Sequence, residues 1–281
     1  MQPDHPIFND HPITGSVQLS TGSAPTPYHV YDGEGLLIFG DVACDAMQRS
    51  IEGEAVHLVK TASGRAAAGF IMADFRQASM GAHSELQFFT LVSNTEGESI
   101  SDAPFALPIA MATRPGWSTL CHNLWNDTES VIAYNNEYLG LNARRAEFRL
   151  FEKQAGGDVQ FGVADDMGSA IIEGHFRAQR STPLSAMWQM MRVAGLRKFI
   201  SLGRAPYACG SVINRSSAIM PENRKAPIFT SSDHNITRHW KSSEDRLEIK
   251  HPALAELDFN PLGLQHLWPF RFVYRHPGDH F

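Results

Sequence analysis

The apolar and polar positions of this chain alternate mostly with the short period of strands. Residues 35–41 form a short apolar run suited to a buried strand, and residues 56–60, 66–73 and 86–93 repeat the pattern. Residues 105–112 and 132–134 continue the same strand-like rhythm. Alternation over 147–151 and 159–163 fits a half-buried sheet, and 247–249 and 270–274 supply two further strands. Helical spacing is rarer. Residues 43–51 place Ala46, Met47 and Ile51 on one face. Residues 183–196 read as the clearest helix: Ser181 or Thr182 caps it and Pro183 suits its first turn. Its stripe of Leu184, Met187, Trp188, Met191 and Leu196 is expected to pack in a core.

Prolines at 3, 6, 12, 25 and 27 break any helix over residues 1–28, which predicts an extended arm, with residues 29–281 forming a single domain. Residues 205–244 are polar and predict long loops. A chain of 281 residues with 43% hydrophobic content is long enough for one large β-rich core. The net charge of -6 leaves no basic footprint, so nucleic acid is not an expected partner. No apolar run approaches the roughly 20 residues of a membrane helix, and the first residues lack a charged-then-apolar leader. Three widely spaced cysteines predict no disulfide framework, and together these features predict a cytoplasmic protein.

Cofactor motifs are missing as well. His234 and His239 are five apart, not the four-residue step of a zinc-protease helix, and the cysteines form no Cys-x-x-Cys pair. No Gly-x-Gly-x-x-Gly follows a strand, and no Gly-x-Ser-x-Gly occurs. The expectation is chemistry without metal or cofactor.

Charges gather mid-chain in Tyr-Asn-Asn-Glu-Tyr-Leu-Gly-Leu-Asn-Ala-Arg-Arg-Ala-Glu-Phe, residues 134–148. By residue type alone this is a solvated turn whose arginines pair with Glu137 or Glu147. Its spacing resembles the signature of acetoacetate decarboxylase-like proteins, Glu-aliphatic-aromatic-Gly-aromatic-Pro-Lys-Lys. Glu137 and Gly140 match without a gap, Asn142 stands at the proline, Ala143 at the Schiff-base lysine and Arg144 at its neighbour. A one-residue insertion would instead bring Arg144 to the nucleophile position. Asp45-Ala46-Met47 and Gly81-Ala-His-Ser-Glu85 resemble further family motifs in the same order, so the resemblance spans residues 35–274.

The resemblance implies a mainly β (α+β) fold, a curved antiparallel β-barrel with peripheral helices, a ligand cavity in its mouth and a homo-oligomer. It also implies amine catalysis, which this chain departs from. One family cavity glutamate corresponds to Phe70, the upstream arginine falls near Gly33, and only Glu85 is kept. A guanidinium stays protonated and is a poor nucleophile, although it clamps carboxylates well.

The expected catalytic set is therefore Glu85 as general acid or base, Arg144 holding an anionic group, and His83 assisting from the same strand face. The plainer readings are an ion pair of Glu85 with Arg144 or Arg76, and a His83 satisfied by hydrogen bonds. Phe70, Trp125, Tyr134, Glu137, Tyr138 and Arg145 are the expected substrate-binding residues. The function expected is cofactor-free acid–base chemistry, of lyase or hydrolase type, on a small carbonyl or carboxylate compound such as an oxo acid, enol or lactone. Two alternatives stand beside it: a non-catalytic binding or sensor protein using the same cavity, and amine catalysis by a distant lysine such as Lys60 or Lys198.

Overall fold

The computed structural model describes residues 4–154, 156–217 and 222–278. The chain begins with α1 (Pro6–Asp10) and a hairpin, β1 (Gly15–Leu19) and β2 (Gly22–Thr26). There follow β3 (Tyr28–Val42), α2 (Cys44–Ser50), the short β4 (His57–Leu58) and β5 (Lys60–Thr61), β6 (Ala66–Ala78), β7 (His83–Ser93) and β8 (Ser99–Ile100). Next come α3 (Ala106–Thr113), β9 (Trp117–Asn126) and α4 (Glu129–Ala133), which runs on as a π-helix over Tyr134–Leu139. The second half holds β10 (Ala143–Lys153), β11 (Asp158–Asp165), β12 (Ala170–Arg177), α5 (Leu184–Ala194) and α6 (Leu196–Arg204). It closes with β13 (Ala208–Ile213), β14 (Lys225–His239), β15 (Arg246–Ile249), α7 (Pro252–Ala255) and β16 (Asn260–Tyr274).

Seven strands close on themselves in the order β9-β13-β14-β16-β3-β6-β7 and back to β9, making a barrel. All its pairings are antiparallel except β9 with β13. The barrel is therefore mixed where an antiparallel one was expected. The outer edge of β9 is shared: β13 takes Thr119 and Leu120, and β10 takes Leu124 to Asn126, also in parallel. From β10 an antiparallel sheet, β10-β11-β12-β15, leaves the barrel and folds over its wall. The apolar side chains between wall and sheet, among them Phe70, Phe88, Phe161, Ile172 and Phe176, form the largest core.

The long strands form where the sequence alternates or runs apolar. β3, β6 and β7 are buried on both faces over most of their length because one side meets the barrel interior and the other the flanking sheet or helices. Gly69 in β6 permits that packing: a Cβ there would lie 2.8 Å from the Phe89 ring. The helix predicted over 43–51 is α2, with Met47 inward.

Other expectations change. Residues 105–112 are the helix α3 and not a strand, since Ala, Leu, Ile and Met are helix formers and an apolar run does not by itself distinguish the two states. Residues 132–134 belong to α4 and the π-helix. The polar 205–244 region holds two strands, β13 and β14, which are held by ladders with β9 and β16. Residues 1–28 carry a helix and a hairpin, and Ile7 and Phe8 are buried against Phe229 and Val273. Of the stripe expected in the core on α5, Leu184, Met187, Trp188 and Leu196 are exposed, whereas Ala186 and Met190 do the packing.

A buried ion pair ties the flanking sheet to the barrel at the end opposite the β9–β10 ladder. Arg238 of β14 donates to both Asp245 oxygens, at 2.7 and 2.5 Å, and to the carbonyls of His239 and Arg177. Asp245 also accepts from the backbone N–H groups of Arg177 and Lys241. Asp245→Ala leaves this guanidinium buried and uncompensated, and is expected to destabilise the fold by about 3–5 kcal/mol in urea denaturation. Arg238→Met combined with Asp245→Leu should recover much of that loss, because no charge is then stranded.

Candidate active site

The two ends of the barrel interior are filled differently. At one end α3 and α5 supply Phe105, Leu107 and Ala186 against Leu37 and Phe39 of β3. At the other end the N-terminal hairpin and the π-helix cover the opening: Leu19, Ala24, Tyr134 and Leu139 pack with Tyr28 and Phe272. Polar side chains of β7 and β9 line this second end.

Glu85 lies on the inward face of β7, since it is paired with Ala73 of β6 and Asn126 of β9. It keeps 8% of its surface accessible, so the carboxyl is largely withdrawn from solvent. Burial pushes its carboxyl up to about 7, opposed by a hydrogen bond that Asn126 Nδ2 donates to Oε2 at 3.2 Å. Tyr28, Tyr274 and Cys121 face the same region. Burial first, and the nearby carboxylate second, push all three above their ordinary ranges, so they remain neutral.

His83 also points inward, two residues earlier on the strand. Its Nδ1 donates to the Gly81 carbonyl at 3.0 Å, and its Nε2 accepts from Tyr28 Oη at 2.8 Å. A carbonyl oxygen only accepts, so this pairing assigns the tautomer. Burial lowers its pKa and keeps the ring neutral. His83 is thus fully engaged with Tyr28 and Gly81 and not aimed at Glu85.

Tyr134 Oη is buried with no hydrogen-bond partner among the described residues, and the buried Gln87 Nε2 has no close one, although its amide lies near enough to the Cys121 thiol to draw that pKa down. Gln87 shares the Glu85 face, one pleat further along β7, about 7 Å away. Tyr134 packs on Tyr28 with ring centroids 5.7 Å apart. The Gln87 amide on the Glu85 face gives this end of the barrel a polar lining suited to a polar ligand.

The central motif divides between the two faces of β10. Ala143 is buried and registers with Leu124, which also registers with Gln87, so it lies on the interior face two strand spacings, about 10 Å, from β7. The ungapped alignment is therefore the one that faces the barrel interior, and it places a methyl group there. Arg144 falls on the opposite face, is exposed, and its charge acts on His251. It does not meet Glu85, and the carboxylate clamp expected of it has no basis in this fold. Arg145 is exposed and paired with Glu129 at 2.9 Å.

The remaining expected binding residues separate in the same way. Phe70 and Trp125 register with Phe88 and Leu86, which point away from the interior, and both pack under the flanking sheet. Glu137 is exposed and accepts from the backbone N–H of Ser20 at 2.9 Å and from its hydroxyl, fastening the hairpin to the π-helix. Tyr134 is interior, and Tyr138 packs against it at a tilt with centroids 5.0 Å apart. Gly140 adopts φ 72°, which ends the π-helix in a left-handed turn that glycine tolerates best. Asn142, at the usual proline position, has φ 57°, a value closed to proline. Lys60 and Lys198 are both exposed, away from this lining.

Gln87 was legible from the two-residue period of the strand that carries Glu85. Asn126, Tyr28, Tyr274 and Cys121 carried no signal, because they reach the site only through barrel closure. Two surface clefts, of about 450 and 280 Å³, lie elsewhere, around Trp240 with Phe259 and around Gln160 with Glu173.

No family model matches the sequence, and no curated protein matches it. Solved structures do match. Acetoacetate decarboxylase from Legionella pneumophila subsp. pneumophila str. Philadelphia 1 superposes with a TM-score of 0.62 at 12% identity, covering 99% of this chain and 96% of its own. The enduracididine biosynthesis enzyme MppR complexed with pyruvate superposes with a TM-score of 0.56 at 14% identity, covering 94% and 97%. A further acetoacetate decarboxylase structure gives 0.54 at 12% identity, covering 89% and 87%. The fold is thus the acetoacetate decarboxylase-like one, in agreement with the motif order in the sequence.

Glu85 makes a measurable demand on stability. Its folded pKa of about 7 lies above the ordinary 4.5, so between these values the folded state holds more protons than the unfolded one. Its contribution is fully present below pH 4.5 and is lost as pH rises through 7. The loss amounts to about 3 kcal/mol. Relative to wild type, Glu85→Gln should therefore gain stability progressively across this window and hold a constant advantage above it, as read by denaturation at a series of pH values.

Proposed function

We propose that this acetoacetate decarboxylase-like chain is a cofactor-free enzyme that moves protons on a small carbonyl compound, with Glu85 as its acid–base group. The observation that supports this reading is the buried Glu85, poised at about 7, with the Gln87 amide on the same strand face and the unpartnered Tyr134 Oη on a ring packed against Tyr28, which the Glu85 charge reaches. A group titrating near neutrality both takes and returns a proton efficiently. As base, the Glu85 carboxylate removes a proton from the carbon next to the carbonyl. The electron pair moves onto the carbonyl oxygen, where the Gln87 amide and Tyr134 hydroxyl donate hydrogen bonds to the enolate. The protonated Glu85 then returns the proton to carbon, or to a leaving group in a lyase-type cleavage. With Ala143 at the Schiff-base position, the substrate carbonyl itself replaces the iminium as the electron sink, and the enolate takes the place of the enamine. The three cysteines are all free, which suits the reducing cytoplasm. Among the described residues no helix is long and apolar enough to cross a membrane.

A second reading is a non-catalytic binding protein for a small apolar ligand, favoured by the aromatic surroundings of Tyr28, Phe75 and Phe272. The two readings part in heavy water. With a panel of oxo acids, β-diketones and lactones, the enzyme reading predicts α-proton exchange or consumption by proton NMR, slowed at least ~100-fold in Glu85→Gln. Line broadening without turnover in both proteins would favour the binding reading, and turnover undiminished in the variant would remove Glu85 from the mechanism.

We also propose that the chain assembles with copies of itself through α5 and α6. Leu184, Trp188 and Leu196 are 82%, 60% and 61% exposed there, and α6 buries none of its residues, so nothing among the described residues covers this face. Light scattering should give wild type a multiple of 31.1 kDa, and Trp188→Glu with Ile200→Glu that single mass. A monomeric wild type overturns the assignment.

A further inference from the structure

Among the described residues, the hydrogen bond that tunes Glu85 comes from a side chain whose own orientation is set elsewhere. Asn126 is fully buried. Its Nδ2 sits between two acceptors, Glu85 Oε2 at 3.2 Å and the Ser84 carbonyl at 3.3 Å. Its Oδ1 accepts from Asn135 Nδ2 at 2.9 Å. An amide oxygen cannot donate, so the three contacts agree on a single orientation of the Asn126 amide. Asn135 is 3% exposed and is delivered by the π-helix. The N–H groups of Gly140 and Leu141 both close on its carbonyl, the first as the wide i to i+5 bond of that helix. The left-handed turn at Gly140 is what allows this closure.

We propose that Asn135 is a positioning residue for Glu85: through its side-chain N–H it holds the Asn126 amide with NH₂, and not oxygen, toward the carboxylate. The relay favours the carboxylate, the form required for proton abstraction, within surroundings that otherwise favour the neutral acid. Its meaning for catalysis rests on the role of Glu85 proposed above, but the relay itself is independent of turnover. The groups facing Glu85 from β3, β9 and β16 are Tyr28, Cys121 and Tyr274, and His83 precedes it on β7. All stay neutral near pH 7, and no cation among the described residues contributes to the shift of Glu85. A change in the Asn126 amide is therefore felt directly.

When the Asn135 donor is removed, only the longer bond to the Ser84 carbonyl still opposes a flip that turns the Asn126 oxygen toward Glu85 to accept from the protonated acid. The experiment is a carbon-13 NMR titration of the Glu85 side-chain carboxyl, identified by its absence in Glu85→Gln, in wild type and in Asn135→Leu, Asn126→Leu and the double variant. Asn135→Leu is expected to raise the titration midpoint by about one pH unit, the worth of a hydrogen bond to a charged group. The same substitution should add nothing in the Asn126→Leu background, because the effect passes through Asn126. Asn135→Ala serves the same comparison if the leucine variant does not fold. An unmoved midpoint, or an equal shift in both backgrounds, overturns the proposal. The midpoints are read whether or not any substrate is turned over, so failure of the relay and failure of the enzyme reading are separate results.

Discussion

One edge of one strand sets the plan of the molecule. β9 offers its outer edge to β13 along Thr119–Leu120 and to β10 along Leu124–Asn126, in parallel both times. The first pairing closes the barrel and the second sends the chain off into the flanking sheet. A strand has only one pattern of N–H and C=O groups on each edge, so the two partners must divide it. That division brings the central motif onto the barrel wall with Ala143 inward and Arg144 outward. The buried pair Arg238–Asp245 holds the far end of the flanking sheet, so the sheet is fastened at both ends of its course over the wall.

The interior that results is crowded with rings and poor in charge. Tyr28, Phe75, Tyr134, Phe272 and Tyr274 pack in one cluster, and the charge of the inward Glu85 carboxyl reaches Tyr28 and Tyr274. In such surroundings desolvation dominates every titration. It raises Glu85, Cys121 and the tyrosines and lowers His83, each toward its neutral form. Of these groups, Glu85 is the one brought to the neutral range by this common effect, because an ordinary carboxyl starts a few pH units below it. The inward Ala143 and the inward Glu85 are the two features on which the proposed chemistry, proton transfer without a covalent intermediate, rests.

The π-helix links the N-terminal hairpin to the barrel interior. Glu137 on its outer side fastens Ser20, while Tyr134 and Asn135 on its inner side enter the barrel. The motif glutamate thus shapes the lid of the site, and the residues three and two positions before it reach the interior.

The sequence by itself determined the strand-rich class, the order of the family-like motifs, the absence of a lysine at the nucleophile position and the choice of Glu85. The strand-rich class follows from residue type and period, and the other three follow from the resemblance of short local motifs to those of a known family. Gln87 was within reach of the same two-residue rule. The tertiary structure alone decided which side of each strand faces inward, since a shift of one residue reverses every side chain. That is why Phe70, Trp125 and Arg144, plausible by position, lie on the outer face, and why Asn126 and Asn135, inconspicuous in sequence, meet at the carboxylate. The polar β14 became a strand only through its ladders with β13 and β16, and the apolar stripe of α5 was left uncovered because the barrel end was already filled by Ala186 and α3. Pairing and closure join residues distant along the chain, and no local pattern encodes that meeting.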